Sequence, residues 1–92
     1  MNQPVDALDA LIGRNVVLDA GSPYAIVGRL TGRDQRYFIL EDADVHDLRD
    51  TPTTRERYIL DSRLHGIRIS RRHVLVRRDE VTSISALDDI VE

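Results

Sequence analysis

The sequence predicts a mainly β fold, a small five-stranded antiparallel barrel with an N-terminal helix and a partly helical insertion before the fourth strand. Three observations predict it. Short apolar and β-branched runs recur at close spacing along 92 residues, separated by turn residues, as in small barrels. Gly28 interrupts the second run, where a bend glycine lets one strand serve both halves of a barrel. The third run, "RYFILEDADV", is apolar on both faces at its centre, as an interior strand should be.

The elements follow in order. Pro4 to Ile12 reads as a helix, because Val5, Leu8, Leu11 and Ile12 share a helical face. Asn2 or Gln3 would precede its first-turn proline, and Gly13 stands where a helix stops. "NVVLDA" (15–20) is the first strand and "GSP" a turn. "YAIVGRLT" (24–31) is the second strand, Asp34 and Gln35 a turn, and residues 36–45 the third strand. Asp47 to Pro52 is a loop. Thr53 followed by Glu56 is a capping-box signal, so a helix over 54–65 is expected outside the barrel, ending at Gly66. Its apolar set of Tyr58, Ile59, Leu60 and Leu64 makes a poor stripe. Residues 67–78 extend again, with an irregularity at Ser70 to Arg72, and 81–86 form the last strand. Leu87 and Ile90 offer one more apolar contact in the tail.

Composition narrows the classes. A chain this short buries only about 60% of the surface its unfolded form exposes, so association would help it. It has no cysteine, which removes disulfides and thiolate metal sites as staples. No apolar run approaches the roughly 18 residues of a membrane span. "MNQPVDALDALIG" lacks the layout of a signal peptide. The expectation is a soluble cytoplasmic protein with no membrane partner and no cofactor.

The net charge of −3 weighs against non-specific duplex binding. Its distribution is uneven. Residues 41–50 hold five acids and one arginine, and residues 62–78 hold six arginines and no acid. All 13 basic residues are arginine, the side chain suited to stacking and bidentate recognition of phosphate or bases, although a GC-rich genome gives the same bias.

The order and the residues resemble the Sm/LSm superfamily, the small barrels that include bacterial Hfq. Gly28, Leu30, Asp34, Leu40, Asp42 and Ala43 fall as in the family's first motif. "VLV", Arg77, Asp79-Glu80, Val81 and Ile84 fall as in the second, with Arg78 where the family carries glycine. Tyr37 occupies the position of the family's base-contacting asparagine, in a loop one residue shorter. PRC-type barrels, which also open with a stretch like "LIGRNVV", are the alternative fold.

The resemblance implies one Sm-like (SH3-like) domain over 1–92. Its helix would cover 4–12, its first-motif strands 15–46, a variable-loop insertion 47–66, and its second-motif strands 67–86. It implies a homo-oligomeric ring of six or seven copies that binds single-stranded RNA near a central pore.

By that resemblance the loops bearing Arg36, Tyr37 and Arg77 lie side by side. An aromatic ring and guanidinium planes stack on unpaired bases. The candidate RNA-binding residues are Asp34, Arg36, Tyr37, Arg77 and Arg78, with Asp34 orienting Arg77 through a bidentate pair. A core role for Tyr37 and a turn-capping role for Asp34 are the plain reading. Arg68, Arg71 and Arg72 form a second basic group, expected to pair with the acids of 41–50 within one subunit or across two. Asp42, Asp44 and His46 alternate along one strand, where two carboxylates and an imidazole can hold a divalent metal, but a solvated strand face is the commoner outcome. Signatures of catalysis are missing: there is no phosphate-cradling glycine loop, nucleophile elbow or zinc-protease helix. The expectation is a non-enzyme, and the alternative to RNA binding is a protein–protein scaffold ring.

Overall fold

A computed structural model describes residues 6–21 and 23–92. A 3-10 turn at Asp9–Leu11 leads into β1 (Asn15–Ala20), β2 (Tyr24–Arg33) and β3 (Tyr37–Asp47). After α1 (Arg55–His65) come β4 (Arg71–Arg77) and β5 (Val81–Ala86). Further 3-10 turns occupy Arg78–Glu80 and Leu87–Asp89. The strands form one open sheet in the order β4-β3-β2-β1-β5, with every pairing antiparallel. The third strand is interior, as its two apolar faces require.

Alternation along β1 divides the packing into two layers. Val16 and Leu18 point into the main core with Leu30, Phe38, Leu40 and Val76. Val17 points the other way, into a second cluster with Val27, Ile59 and Leu87. Leu18, Leu30 and Leu40 are fully buried, and each such side chain contributes about 1.5–3 kcal/mol relative to exposure. Gly28 sits where β2 and its neighbour β3 come unusually close: a Cβ there would lie 2.6 Å from the Ala43 Cβ. The β2–β3 register shifts at this point, and Asp42 takes a left-handed φ of 48°, which a short polar residue tolerates better than most.

The helix expected over 4–12 is a shorter element. Residues 1–5, with the expected proline entry and Val5, lie outside the described residues, as does Ser22 of the "GSP" turn. From Asp6 onward only the Asp9–Leu11 turn is helical. Ile12 is already extended, because the Gly13 N–H donates to the Leu30 carbonyl (2.6 Å) and so joins the chain to β2. Leu8 and Leu11 still cover the main core. Arg33 ties the turn down, donating to Asp6 (2.6 Å) and Asp9 (2.9 Å).

The inserted helix forms and lies on the face opposite the main core, burying Ile59 in the second cluster. Gly66 ends it with φ +91°. Its cap differs from the expected box. Thr54, not Thr53, is the N-cap, and its hydroxyl accepts from the Arg57 N–H at 3.2 Å. Thr54→Ala should therefore cost about 1 kcal/mol, and Thr53→Ala should stay within about 0.5 kcal/mol of wild type. Urea unfolding followed by circular dichroism separates the two. Equal costs would contradict this cap.

The fourth strand begins at Arg71 rather than Ile67. Ile67 turns inward to the second cluster, and the Ser70 N–H donates to the Ala43 carbonyl (2.9 Å). The stretch 66–70 is thus an extended strap, not ladder. Among the described residues no helix is long and apolar enough to cross a membrane.

Candidate nucleic-acid interface

The β2–β3 loop and the β4–β5 turn meet at one end of the sheet. Tyr37 is the register partner of Arg77, and the Arg78 N–H donates to the Arg36 carbonyl at 2.8 Å. Two tight turns are therefore joined by backbone. The first is closed by Asp34, whose Oδ1 accepts from the N–H groups of Arg36 (2.8 Å) and Tyr37 (2.7 Å). Such a side-chain-to-backbone turn is a habit of aspartate. These two donors, Arg36 first, hold the Asp34 carboxyl below the usual carboxylate range.

The second turn departs from expectation. Arg78 stands where the resembled family carries glycine, yet the turn is a 3-10 turn with negative φ, the one positive-φ non-glycine among the described residues being Asp42. No glycine is needed. Arg78 instead braces the loops: its Nη1 donates to the Asp34 carbonyl at 2.6 Å, and its guanidinium lies 5.2 Å from the Phe38 ring centroid.

Asp34 does not orient Arg77. Its carboxylate is occupied by backbone, and Arg77 donates to Asp79 at 2.8 Å. That pairing raises the Arg77 pKa further. A local partner two residues away wins over a distant one because little chain entropy is lost in reaching it.

The result is a cleft of about 400 Å³ lined by Gln35, Arg36, Tyr37, Arg77 and Asp79. A second hollow of about 350 Å³ is lined by Asp34, Gln35, Arg36 and Tyr37. Tyr37 is half-buried, and Arg36 and Arg77 are exposed. Three of the five expected residues thus line the main cleft. Asp34 shapes its loop, and Arg78 holds the two loops together. Gln35 and Asp79 were not singled out in the sequence; their only signal was their place inside the two turns.

The other constellations resolve differently. Asp42 is exposed, with Arg29 3.4 Å away, while Asp44 is buried and accepts from the hydroxyls of Tyr58 (2.5 Å) and Ser70 (2.7 Å). His46 stacks on Tyr58 with ring centroids 4.4 Å apart. These three residues neither share a solvated face nor converge as ligands. The acids of 41–50 pair with Arg29, Arg49 and His73. Among the described residues none of them pairs with Arg68, Arg71 or Arg72 inside the chain.

Comparison with known folds places this arrangement. An Sm protein from Pyrococcus abyssii, solved in complex with a uridine heptamer, superposes with a TM-score of 0.58 at 20% identity, covering 92% of this chain and 99% of that one. This chain has the Sm-like fold. An LSm protein from Methanococcus vannielii (TM-score 0.56, 24% identity) is matched over 89% of this chain and 91% of its own. An Sm-like protein from Archaeoglobus fulgidus (TM-score 0.59, 17% identity) is matched over 94% and 96%. At these identities the likeness is one of fold. No protein-family model and no curated protein sequence matches the chain.

Proposed function

We propose that this chain is a ring-forming Sm-like protein that binds single-stranded RNA through loop residues facing a central pore. The observation that carries this reading is the pairing of Tyr37 with Arg36 and Arg77 around one open cleft, in a fold shared with a protein solved on a uridine heptamer. Tyr37 offers a ring face to a base. Arg36 offers a guanidinium plane, and Arg77 a charge for phosphate or base edge once Asp79 yields. Asp34 and Arg78 hold the loops in place. The protein acts without catalysis or cofactor, in the cytoplasm, as a ring of six or seven copies.

A scaffold ring without RNA affinity is the second reading. It is favoured by the acidic balance, net −3, and by the Arg77–Asp79 pair, which RNA must disrupt.

A salt series of affinities for oligo-U and oligo-A tests the two. Tyr37→Ala is expected to weaken binding by about 1–3 kcal/mol. Arg77→Ala should weaken it and lower the salt slope by about one. Arg78→Gly should act through loop order rather than contact, leaving the slope unchanged. No binding by wild type at low salt selects the scaffold reading.

A further inference from the structure

The insertion builds a further cleft, far from the loops that carry Tyr37 and Arg77. Those loops lie at the Tyr37 end of β3, whereas His46 lies next to its Asp47 end. There β3, the loop over 48–54, α1 and the strap enclose about 530 Å³, a volume within the range of small-molecule sites.

One wall is aromatic. His46 and Tyr58 both line the cleft, with ring centroids 4.4 Å apart and planes 8° from parallel. Hydrogen bonds fix the pair in advance of any ligand. The His46 Nε2 lies 3.2 Å from the Thr51 hydroxyl, and the Tyr58 hydroxyl donates to Asp44. A wall already ordered loses little freedom on binding.

The charges of the cleft are unbalanced by their partners. Asp44 and Asp61 line it, but both are engaged. Asp44 accepts from Tyr58 and Ser70, and Asp61 pairs with Arg57 at 3.1 Å. Arg68, expected to meet the acids of 41–50, borders the cleft instead. Neither it nor His65 makes an ion pair or side-chain hydrogen bond among the described residues. Gly66 brings the two together. Its φ of +91° turns the chain out of α1, so that His65 before it and Arg68 after it border one opening. An unengaged guanidinium is a fork for a phosphate, and the Thr53 hydroxyl lines the same cleft.

We propose that this cleft binds a nucleoside monophosphate, with Arg68, His65 and Thr53 taking the phosphate and the His46–Tyr58 pair taking the base. Aromatic faces accept any base, because every base has a π face. A phosphate alone leaves the rings unused, and a nucleoside alone leaves Arg68 without its anion. The site goes beyond the pore reading and does not depend on it.

The experiment is a titration of the full-length protein with adenosine monophosphate, followed by NMR of the imidazole resonances. The chain has three histidines. His46 and His65 border the cleft, and His73, on β4 and 3.6 Å from Glu41, is the internal reference. His46 and His65 should shift along one saturating curve while His73 stays still. Inorganic phosphate and adenosine should each bind roughly ten-fold more weakly or worse. Arg68→Ala should weaken binding of the nucleotide about ten-fold, and Arg72→Ala, exposed on β4 outside the cleft, should not. Both arginines lie outside the core, so both variants should keep the wild-type dichroism. The oligo-U affinity of Arg68→Ala should match wild type, and nucleotide binding by a protein that ignores oligo-U supports this site while sinking the pore reading. No shift at millimolar nucleotide, or shifts shared equally by His73, overturn the site. Equal binding of inorganic phosphate overturns the base contact. Shifts that vanish in Tyr37→Ala put the nucleotide in the loop cleft and overturn the proposal.

Discussion

Gly28→Ala is expected to destabilise the protein by about 2–3 kcal/mol, because one added methyl has nowhere to go. Its Cβ would stand 2.6 Å from the Ala43 Cβ, 3.0 Å from the Ala43 Cα and 3.1 Å from Leu40 Cδ2. Two of these three atoms belong to Ala43, in the paired neighbouring strand, so rotation of a flexible side chain gives no relief. For a chain of this size the loss lowers the melting temperature by on the order of 10 °C. Gly32→Ala is the control. Its nearest neighbour is Ile39 Cδ1 at 3.5 Å, an ordinary contact with a flexible tip, so the change should stay within about 0.5 kcal/mol. Ala43→Gly removes the opposing methyl and should recover part of the cost in the double variant, a coupling that a double-mutant cycle reads directly. Equal melting temperatures for Gly28→Ala and Gly32→Ala would show that the close approach is looser than this geometry.

Gly28 was legible in the sequence because a glycine inside an apolar run has few other uses. The five strands were legible for the same kind of reason, since each is a local pattern closed by local turn residues. Gly66, which stops α1 at φ +91°, is another. What failed depended on competition between partners or on a local kink of the backbone. The apolar spacing of residues 5–12 argues for a helix, but the Leu30 carbonyl takes the Gly13 N–H and pulls the chain into the sheet. At the candidate site the resemblance placed Tyr37 and Arg77 side by side, and they are register partners. The assignment of Asp34 to Arg77 failed because two backbone N–H groups and Asp79 lay closer along the chain. The alternation of Asp42, Asp44 and His46 misled for a backbone reason. Asp42 adopts φ 48°, which breaks the period of two and puts Asp42 in solvent while Asp44 is buried. No composition rule marks that kink. It follows from the close approach of Gly28 and Ala43 on the facing strands.

Asp44→Ala should release the insertion from the sheet at a cost of about 3 kcal/mol. The Asp44 carboxylate joins three segments: it sits on β3 and accepts from Tyr58 on α1 at 2.5 Å and from Ser70 in the strap at 2.7 Å. Hydrogen bonds to a charged acceptor contribute about 1.5–3 kcal/mol each. The estimate takes the low end of their sum, because Tyr58 is only partly buried and Ser70 is exposed, so water can reach both after release. The effect should be local. Hydrogen exchange is expected to quicken across 54–70 while β1, β2 and β3 keep their protection, since the main core has no residue in α1. Tyr58 supplies a second readout. Burial, and after it the hydrogen bond to Asp44, pushes its phenol pKa well above the ordinary 10. A raised folded value means that this stabilisation is complete below pH 10 and is lost as pH rises from there through the folded value. In Asp44→Ala burial alone is left to raise the value, so the Tyr58 titration followed by NMR should move down toward 10, and the alkaline loss of stability should shrink with it. Tyr58→Phe in the Asp44→Ala background should then cost little more than Asp44→Ala alone, because the two changes remove one interaction. Unchanged exchange across 54–70 in Asp44→Ala would mean that Ile59 and its apolar neighbours hold the helix without the carboxylate.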